Sequence, residues 1–125
     1  MSHLILVASG GAIGALSRFL LYSILKNYTY NNIFATLSIN VIGSFLIGYL
    51  ISLGYSKNLS EMFIKYFLII GLLGSFTTFS AFSYEVLDLY LSKKFFLSIL
   101  YIVLSVLFCV IAAYLGTYIN RFWLK

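Results

Sequence analysis

The sequence predicts an all-α integral membrane protein with four transmembrane helices. Hydrophobic residues make up 62% of the 125 positions, charged residues make up 9%, and proline is absent. A soluble domain carries about a quarter charged residues, so this composition is typical of a protein surrounded by lipid. The apolar residues also form four runs, each near the roughly 20 residues that cross a bilayer. The predicted spans are residues 4–25, 33–53, 63–90 and 95–119.

The four spans leave little sequence for loops and none for a soluble domain. We therefore interpret residues 1–125 as a single four-span membrane domain. The first span contains Arg18 and lacks a basic start, which indicates a retained helix rather than a cleaved signal peptide. The net charge of +5 lies at the ends of the spans, so it does not indicate nucleic-acid binding. Cys109 is the only cysteine, and we expect a buried apolar thiol.

The basic residues outside the spans are nearly balanced between the two sides of the membrane. Four lie on the side of the termini and three on the other: Lys57, Lys65, Arg121 and Lys125 against Lys26, Lys93 and Lys94. Orientation normally follows an excess of Lys and Arg on the cytoplasmic side. Near-balance favours dual topology, in which two copies pair upside down as an antiparallel homodimer with sites near the midplane. A single topology set by a weaker cue is the alternative.

Small residues spaced four apart predict close helix packing in three spans. The pairs are Gly10 and Gly14, Ser44 and Gly48, and Ala112 and Gly116. Small side chains let helix backbones approach closely, which drives association in lipid. The pairs are compatible both with packing inside one subunit and with packing between two subunits.

The third span is predicted to break near the middle of the membrane, over residues 74–80. Its sequence there, GLLGSFTTFSAFS (71–83), is rich in glycine and hydroxyl residues, which weaken a helix. Non-helical backbone at this depth is tolerated only where protein or a water-filled cavity surrounds it. The carbonyl oxygens of Gly74 and Thr77 would lose their usual donors, and unwound carbonyls coordinate sodium in transporters. In an inverted dimer, four such oxygens would enclose one structural monovalent cation.

Three polar residues lie deep in the predicted spans. Asn40 shares a helix face with Thr36 and Ser44, and is either an interhelical hydrogen-bonding residue or an amide donor in an anion pathway. Arg18 either extends to the membrane surface or raises the anion concentration at a pore mouth. Glu85 is deep enough to pair with Arg18, which would make that vestibule polar without strong positive charge.

Phe79 and Phe82 lie three residues apart, directly after the predicted break. Rings at this spacing usually pack in a core. However, an aromatic ring has a positive edge, so two rings presented edge-on beside amide and hydroxyl donors would accommodate a small anion. Such a site binds weakly enough to permit release, as conduction requires.

Three segments of the chain together resemble the signature segments of the CrcB/Fluc family of fluoride channels. They are GGAIGALSRF (10–19), ATLSINVIGSFLIG (35–48) and GLLGSFTTFSAFSYE (71–85). The resemblance extends over nearly the whole chain in length, span number and motif order. One departure is visible: many members read TTFST where this chain has Ala81, which removes one hydroxyl from the polar track.

The resemblance implies a passive, fluoride-selective channel that exports cytoplasmic fluoride, and not an enzyme. It further implies an antiparallel dual-topology homodimer with two pores and a central structural Na⁺, in the inner or plasma membrane of a bacterium. The implied sites are Gly74 and Thr77 for sodium, Asn40, Phe79 and Phe82 for fluoride, Ser80 and Tyr101 along the pathway, and Arg18 in the vestibule.

Two other functions remain as alternatives to a channel. A small dual-topology exporter of cations or drugs requires a deeply embedded carboxylate for proton exchange. The first two spans contain no acidic residue, which counts against that function. A membrane-assembly subunit without transport would need no polar break in its third span.

Overall fold

The computed structural model describes residues 2–28, 32–56 and 62–123, and the side chains among them except those of residues 54–56 and 120–123. All regular structure in these residues is helical. The elements are α1 (Ser2–Tyr28), α2 (Asn32–Ser56), a π-helical segment (Phe63–Leu73), the single turn α3 (Gly74–Phe76), α4 (Phe79–Leu91) and α5 (Phe95–Trp123).

Four helical stretches of the described residues are long and apolar enough to cross a membrane. They are Ser2–Tyr28, Asn32–Leu53, Phe63–Leu91 and Phe95–Ile119. The prediction of an all-helical protein with four spans is therefore confirmed, and each span begins and ends within three residues of the predicted position. Of the residues used in the charge comparison, Lys57 and Lys125 lie outside the described residues, as does the side chain of Arg121.

Close backbone contacts join the helices into two pairs within the subunit, α1 with the π-helical segment and α2 with α5. A Cβ atom at Gly14 would overlap the carbonyl oxygen of Leu72, and one at Gly48 would overlap that of Ala113. Glycine is required at both positions because no side chain fits between the backbones. The small residues in the first and second spans therefore serve packing within the chain.

The first part of the third span is a π-helix of 11 residues, where the sequence predicts an ordinary helix. At its end the backbone N–H of Gly74 donates to the carbonyl of Ile69, five residues earlier. Most π-helical segments are single turns inside α-helices. The apolar run FIKYFLIIGLL is compatible with either kind of helix, so its composition carried no signal for this difference.

A tight turn brings α4 and α5 together at one end of the subunit. Lys93 has a positive φ of 58°, and the N–H groups of Lys93 and Lys94 donate to the carbonyls of Tyr90 and Leu89. These two bonds satisfy the last carbonyls of α4 in a Schellman arrangement. The turn lets α5 run back along α4, so that Tyr101 packs with Phe82 in the main buried cluster.

Candidate functional site

The helical backbone of the third span is interrupted at two threonines. The helix ends at Phe76; Thr77 (ψ 156°) and Thr78 (φ −146°, ψ 114°) are extended, and α4 begins at Phe79. Threonine is branched at Cβ and favours extended backbone. Thr78 is also the N-cap of α4, because its Oγ1 accepts the N–H of Ala81 at 3.2 Å. Non-helical backbone is thus limited to residues 77 and 78, a shorter interval than 74–80.

Asn40 on α2 holds the extended backbone of Thr78 through two hydrogen bonds. Its Nδ2 donates to the Thr78 carbonyl at 3.1 Å, and its Oδ1 accepts the Thr78 N–H at 2.8 Å. This pairing fixes which end of the amide is nitrogen, because only one orientation matches both groups. An amide nitrogen carries two hydrogens. One hydrogen of Asn40 Nδ2 therefore remains for a further acceptor after Thr78 is satisfied.

The two carbonyls predicted to bind sodium have lost their α-helical donors. In a continuous α-helix, the Gly74 carbonyl would accept the N–H of Thr78, and the Thr77 carbonyl would accept that of Ala81. Here the Thr78 N–H donates to Asn40 and the Ala81 N–H donates to the Thr78 hydroxyl. Both carbonyl oxygens are thus left without the bond that a helix would supply. Gly74 is also exposed on the surface of the chain.

A cavity of about 300 Å³ lies beside the interruption, between α2, the third span and α5. Five of the predicted site residues line it together, namely Asn40, Gly74, Thr77, Phe79 and Phe82. The remaining lining residues are Gly43, Ser44, Ile47, Leu73, Thr78, Ser105, Val106 and Cys109. No charged side chain is among these lining residues, so any anion there would be held by neutral donors.

The two phenylalanines of the cavity differ in exposure but contact each other. Phe82 is buried at 7% exposure, whereas Phe79 is 78% exposed on the single subunit. Their ring centroids are 5.3 Å apart and the ring planes are tilted by 49°. The edge of an aromatic ring carries partial positive charge, so an edge turned toward the cavity would attract an anion.

Ser105 lines the cavity but was not among the residues predicted for the site. It is 6% exposed, and among the described residues its Oγ has no partner in hydrogen-bonding geometry. The Tyr101 hydroxyl lies one turn earlier, but its proton goes to Glu85. Buried hydroxyl groups without partners are rare, and the oxygen of this one is almost wholly covered by the neighbouring side chains. The spacing of Tyr101, Ser105 and Cys109 by four residues on α5 was the available signal.

Glu85 lies at the centre of a buried polar group behind Phe82. Its Oε1 accepts the Thr36 hydroxyl at 2.6 Å, and its Oε2 accepts the Tyr101 hydroxyl at 2.7 Å. From its depth in the span, Glu85 could have paired with Arg18, but in the structure it accepts these two hydroxyls instead. A buried carboxylate needs such donors because it has lost its water. Tyr101 does not line the cavity, although its ring contacts Phe82 with centroids 5.1 Å apart.

The other two predicted site residues lie outside the cavity. The Ser80 hydroxyl is 3.1 Å from the Thr78 hydroxyl, on an exposed part of α4. Arg18 is half-buried on α1, a helix that contributes no residue to the cavity lining. Cys109 was expected to be a buried apolar thiol. In the structure its side chain is half-buried and lines the cavity.

The family described as "CrcB-like protein, Camphor Resistance (CrcB)" matches residues 5–117, an interval that includes every site residue named above. The chain belongs to this CrcB-like family. A relative from Campylobacter jejuni, named "Fluoride-specific ion channel FluC", is 44% identical over 117 residues, which cover 93% of this chain and 95% of the relative.

Two further relatives, which are less similar to this chain, carry the same name. The Magnetococcus marinus protein is 42% identical over 120 residues, covering 92% of this chain and 94% of the relative. The Dehalococcoides mccartyi protein is 35% identical over 121 residues, covering 96% and 93%. The relatives are named as ion channels, which agrees with the expectation that this chain is not an enzyme.

Proposed function

We propose that this multi-pass membrane protein is a passive, fluoride-selective channel that lets cytoplasmic fluoride leave the cell. The observation that carries the proposal is the cavity beside the interrupted third span, where neutral donors and two phenylalanine rings converge. The name shared by relatives at 35–44% identity supports fluoride as the ion. Fluoride then moves down its electrochemical gradient, and an inside-negative potential drives its exit.

Replacement of hydration water is the chemical problem that the cavity solves. Fluoride is small and strongly hydrated, so each water that it loses must be replaced by another donor. The free N–H of Asn40 and the ring edges of Phe79 and Phe82 are such donors. All are neutral, so binding is weak enough to allow release. A larger halide keeps its centre further from the same donors, so each donor stabilises it less.

The buried hydrogen bonds of Glu85 help to hold Phe82, one of the proposed pathway residues, in place. Tyr101 contacts the Phe82 ring with its own ring and fixes its hydroxyl on Glu85. Thr36 donates to the other carboxylate oxygen. Because both oxygens are hydrogen-bonded, the Glu85 side chain is held in one position. We assign Tyr101 and Glu85 as positioning residues for Phe82.

A second copy of the chain completes the channel in this proposal. Two subunits pair upside down as an antiparallel homodimer, with the two interruptions at mid-membrane and one fluoride pathway on each side. The exposure of Phe79 and Gly74 on the single subunit supports a covering partner at this place. A bacterial inner or plasma membrane is the proposed location, in keeping with the sources of the relatives.

The backbone carbonyls of Gly74 and Thr77 fit a sodium ion by their chemistry. Hard cations take oxygen ligands, and both carbonyls lack their helical donors. Two carbonyls from each of two subunits would hold Na⁺ between them. Such an ion would supply a fixed positive charge at the centre of the dimer. The chain's own contribution is the Asn40–Thr78 pair, which keeps these carbonyls out of a helix.

Fluoride efflux from proteoliposomes tests the proposal. The purified protein is reconstituted with internal potassium fluoride, and external fluoride is followed with a fluoride-selective electrode. We expect rapid efflux when valinomycin provides a path for potassium, and little efflux without it, because passive movement of an anion needs a compensating charge. Neither ATP nor a proton gradient is supplied.

Liposomes loaded with potassium chloride provide the matched comparison. We expect chloride efflux at the rate of protein-free liposomes. Equal efflux of chloride and fluoride would contradict selectivity, and fluoride efflux that requires a proton gradient would contradict passive conduction.

A further inference from the structure

Gly43 on α2 lies directly against the interruption of the third span. It is buried, it lines the same cavity as Thr77, and it follows Asn40 by one helical turn. A Cβ atom at residue 43 would overlap Cγ2 of Thr77. Glycine weakens a helix relative to alanine, so helix formation does not explain its presence here. The close approach of Thr77 does, because no side chain fits between the two residues.

The Thr77 side chain is held in one orientation beside Gly43. Its Oγ1 donates to the Leu73 carbonyl at 3.0 Å, and its backbone N–H donates to the same oxygen at 3.1 Å. A side chain branched at Cβ has few χ1 rotamers, and this bond selects the one that places Cγ2 against Gly43. The helix α2 has no room to retreat, because at Gly48 its backbone already contacts that of Ala113. A methyl group added at residue 43 would therefore displace Thr77.

The peptide that joins Thr77 to Thr78 carries a carbonyl oxygen proposed to bind sodium. Asn40 Oδ1 accepts the N–H of this peptide at 2.8 Å. Gly43 contacts residue 77, at the other end of the same peptide. Because a peptide unit is planar, fixing its N–H and the preceding residue also fixes the direction of its carbonyl oxygen. Two positions one turn apart on α2 therefore determine where the Thr77 carbonyl points.

We propose that Gly43 is a positioning residue for the sodium site, because the absence of a side chain there lets Thr77 direct its carbonyl oxygen toward the ion. The inference rests on the sodium site of the proposed function, and not on fluoride selectivity. Groups that hold metal ligands in place typically contribute about 10- to 100-fold to metal affinity. A substitution that displaces Thr77 should weaken sodium binding by a similar factor.

A double-mutant cycle isolates the contact between the two residues. Gly43→Ala is made in the wild-type protein and in Thr77→Ser, which keeps the hydroxyl bonded to Leu73 and lacks Cγ2. Without Cγ2, the atom nearest to the new methyl group is Cδ1 of Phe76 at 3.3 Å, which a small shift of the ring accommodates. We expect Gly43→Ala to weaken sodium binding about tenfold or more in the wild type, and less than about twofold in Thr77→Ser.

The readout is thermal stabilisation of the detergent-solubilised protein by sodium, which does not depend on transport. Protein purified without sodium is heated at increasing sodium chloride, with N-methylglucamine chloride keeping the ionic strength constant. The rise in transition temperature gives the apparent dissociation constant, because an ion that binds only the folded protein stabilises it. A merely structural role of Gly43 would lower the transition temperature at every sodium concentration without changing this constant.

Three results would overturn the inference. They are an unchanged dissociation constant in Gly43→Ala, equal weakening by Gly43→Ala in both backgrounds, and a wild-type protein that sodium does not stabilise. Should Gly43→Ala alone not fold, a folded double variant with the sodium affinity of Thr77→Ser would support the contact, and an unfolded double variant would overturn it. The expected sodium response in a protein without fluoride efflux would overturn the proposed function while supporting the role of Gly43.

Discussion

Asn40 connects the backbone interruption to the proposed pathway at the scale of single residues. Its side chain supplies Thr78 with the donor and the acceptor that a neighbouring strand would supply. The two interpretations of this residue, interhelical hydrogen bonding and donation into an anion pathway, are therefore compatible. The amide spends one N–H and its oxygen on Thr78 and keeps the second N–H at the cavity wall.

We predict that Asn40→Asp lowers fluoride efflux by about tenfold or more. The aspartate has no N–H for the Thr78 carbonyl, and a buried group left without its partner costs about 1–3 kcal/mol, which lowers the population of the native arrangement of Thr78 roughly 5- to 140-fold relative to its alternatives. A carboxylate at the cavity wall also repels an anion. The measurement is electrode-recorded efflux from proteoliposomes.

Asn32→Asp is the control for this prediction, because Asn32 is an exposed residue at the start of the same helix. We expect it to conduct like wild type. An unchanged rate in Asn40→Asp would remove Asn40 from the pathway and from support of the interruption.

The site residues that could be predicted from the sequence are those that are unusual within their own segment. Asn40 is conspicuous because an amide in an apolar span needs a partner, and Thr77 and Thr78 are conspicuous because they weaken a helix. The hydrogen-bond partners of Glu85 could not be predicted from the sequence, because α2, α4 and α5 must pack before residues 36, 85 and 101 meet. For the same reason the predicted burial of Cys109 was wrong, since helix spacing does not reveal a cavity.

At the scale of elements, the third span is positioned by α1. The carbonyl oxygens of Phe67 and Leu72 lie against Gly10 and Gly14, with no room for a side chain between them. This contact fixes the π-helical segment close to the turn that leads into Thr77. We infer that packing at Gly14 determines where the interruption lies relative to α2.

We predict that Gly14→Ala destabilises the protein, by about 1–3 kcal/mol as is usual for overpacking. The added methyl group would overlap the Leu72 carbonyl, which is backbone and has no room to move aside. The measurement is the temperature at which the detergent-solubilised protein loses its gel-filtration peak.

Gly11→Ala is the matched control on the same helix. Its methyl group would meet the Ser75 hydroxyl at 3.2 Å, and a flexible side chain can move aside. We expect only a small change in this variant. Equal transition temperatures for Gly14→Ala and wild type would contradict the packing role of Gly14.

The ends of the spans could be predicted from hydropathy, because the membrane core fixes the length of an apolar helix. The spans were predicted within three residues for this reason. The π-helical hydrogen bonds were not predictable, since they change the backbone pairing without changing which residues are apolar. The interruption was predicted as 74–80, but capping by the Thr78 hydroxyl lets α4 begin directly at Phe79.

At the scale of the whole molecule, the chain exposes groups that the proposed dimer would cover. Phe79 is 78% exposed, and Gly74 faces outward with a carbonyl that lacks its helical donor. A two-fold axis through this place would bring the same groups of a second subunit to it. The near-balance of basic residues allows such a subunit to insert in the opposite orientation.

We predict that both orientations coexist in the membrane. Ser92→Cys, combined with Cys109→Ser, places a single thiol in the exposed turn between α4 and α5. A membrane-impermeant maleimide added to intact cells should label about half of the chains, because a two-fold axis in the membrane plane reverses one subunit. The remainder should react after permeabilisation. Labelling of all chains or of none before permeabilisation would show a single topology.

The central claim is that fluoride, and not a larger halide, passes through this protein without coupling to another gradient. The most direct test is the reversal potential of the purified channel in a planar bilayer with sodium fluoride on one side and, on the other, sodium chloride that contains a tenth as much fluoride at the same total salt. We predict a current that reverses close to the equilibrium potential set by this fluoride ratio. Reversal near zero would mean that fluoride and chloride pass equally well, and would contradict it.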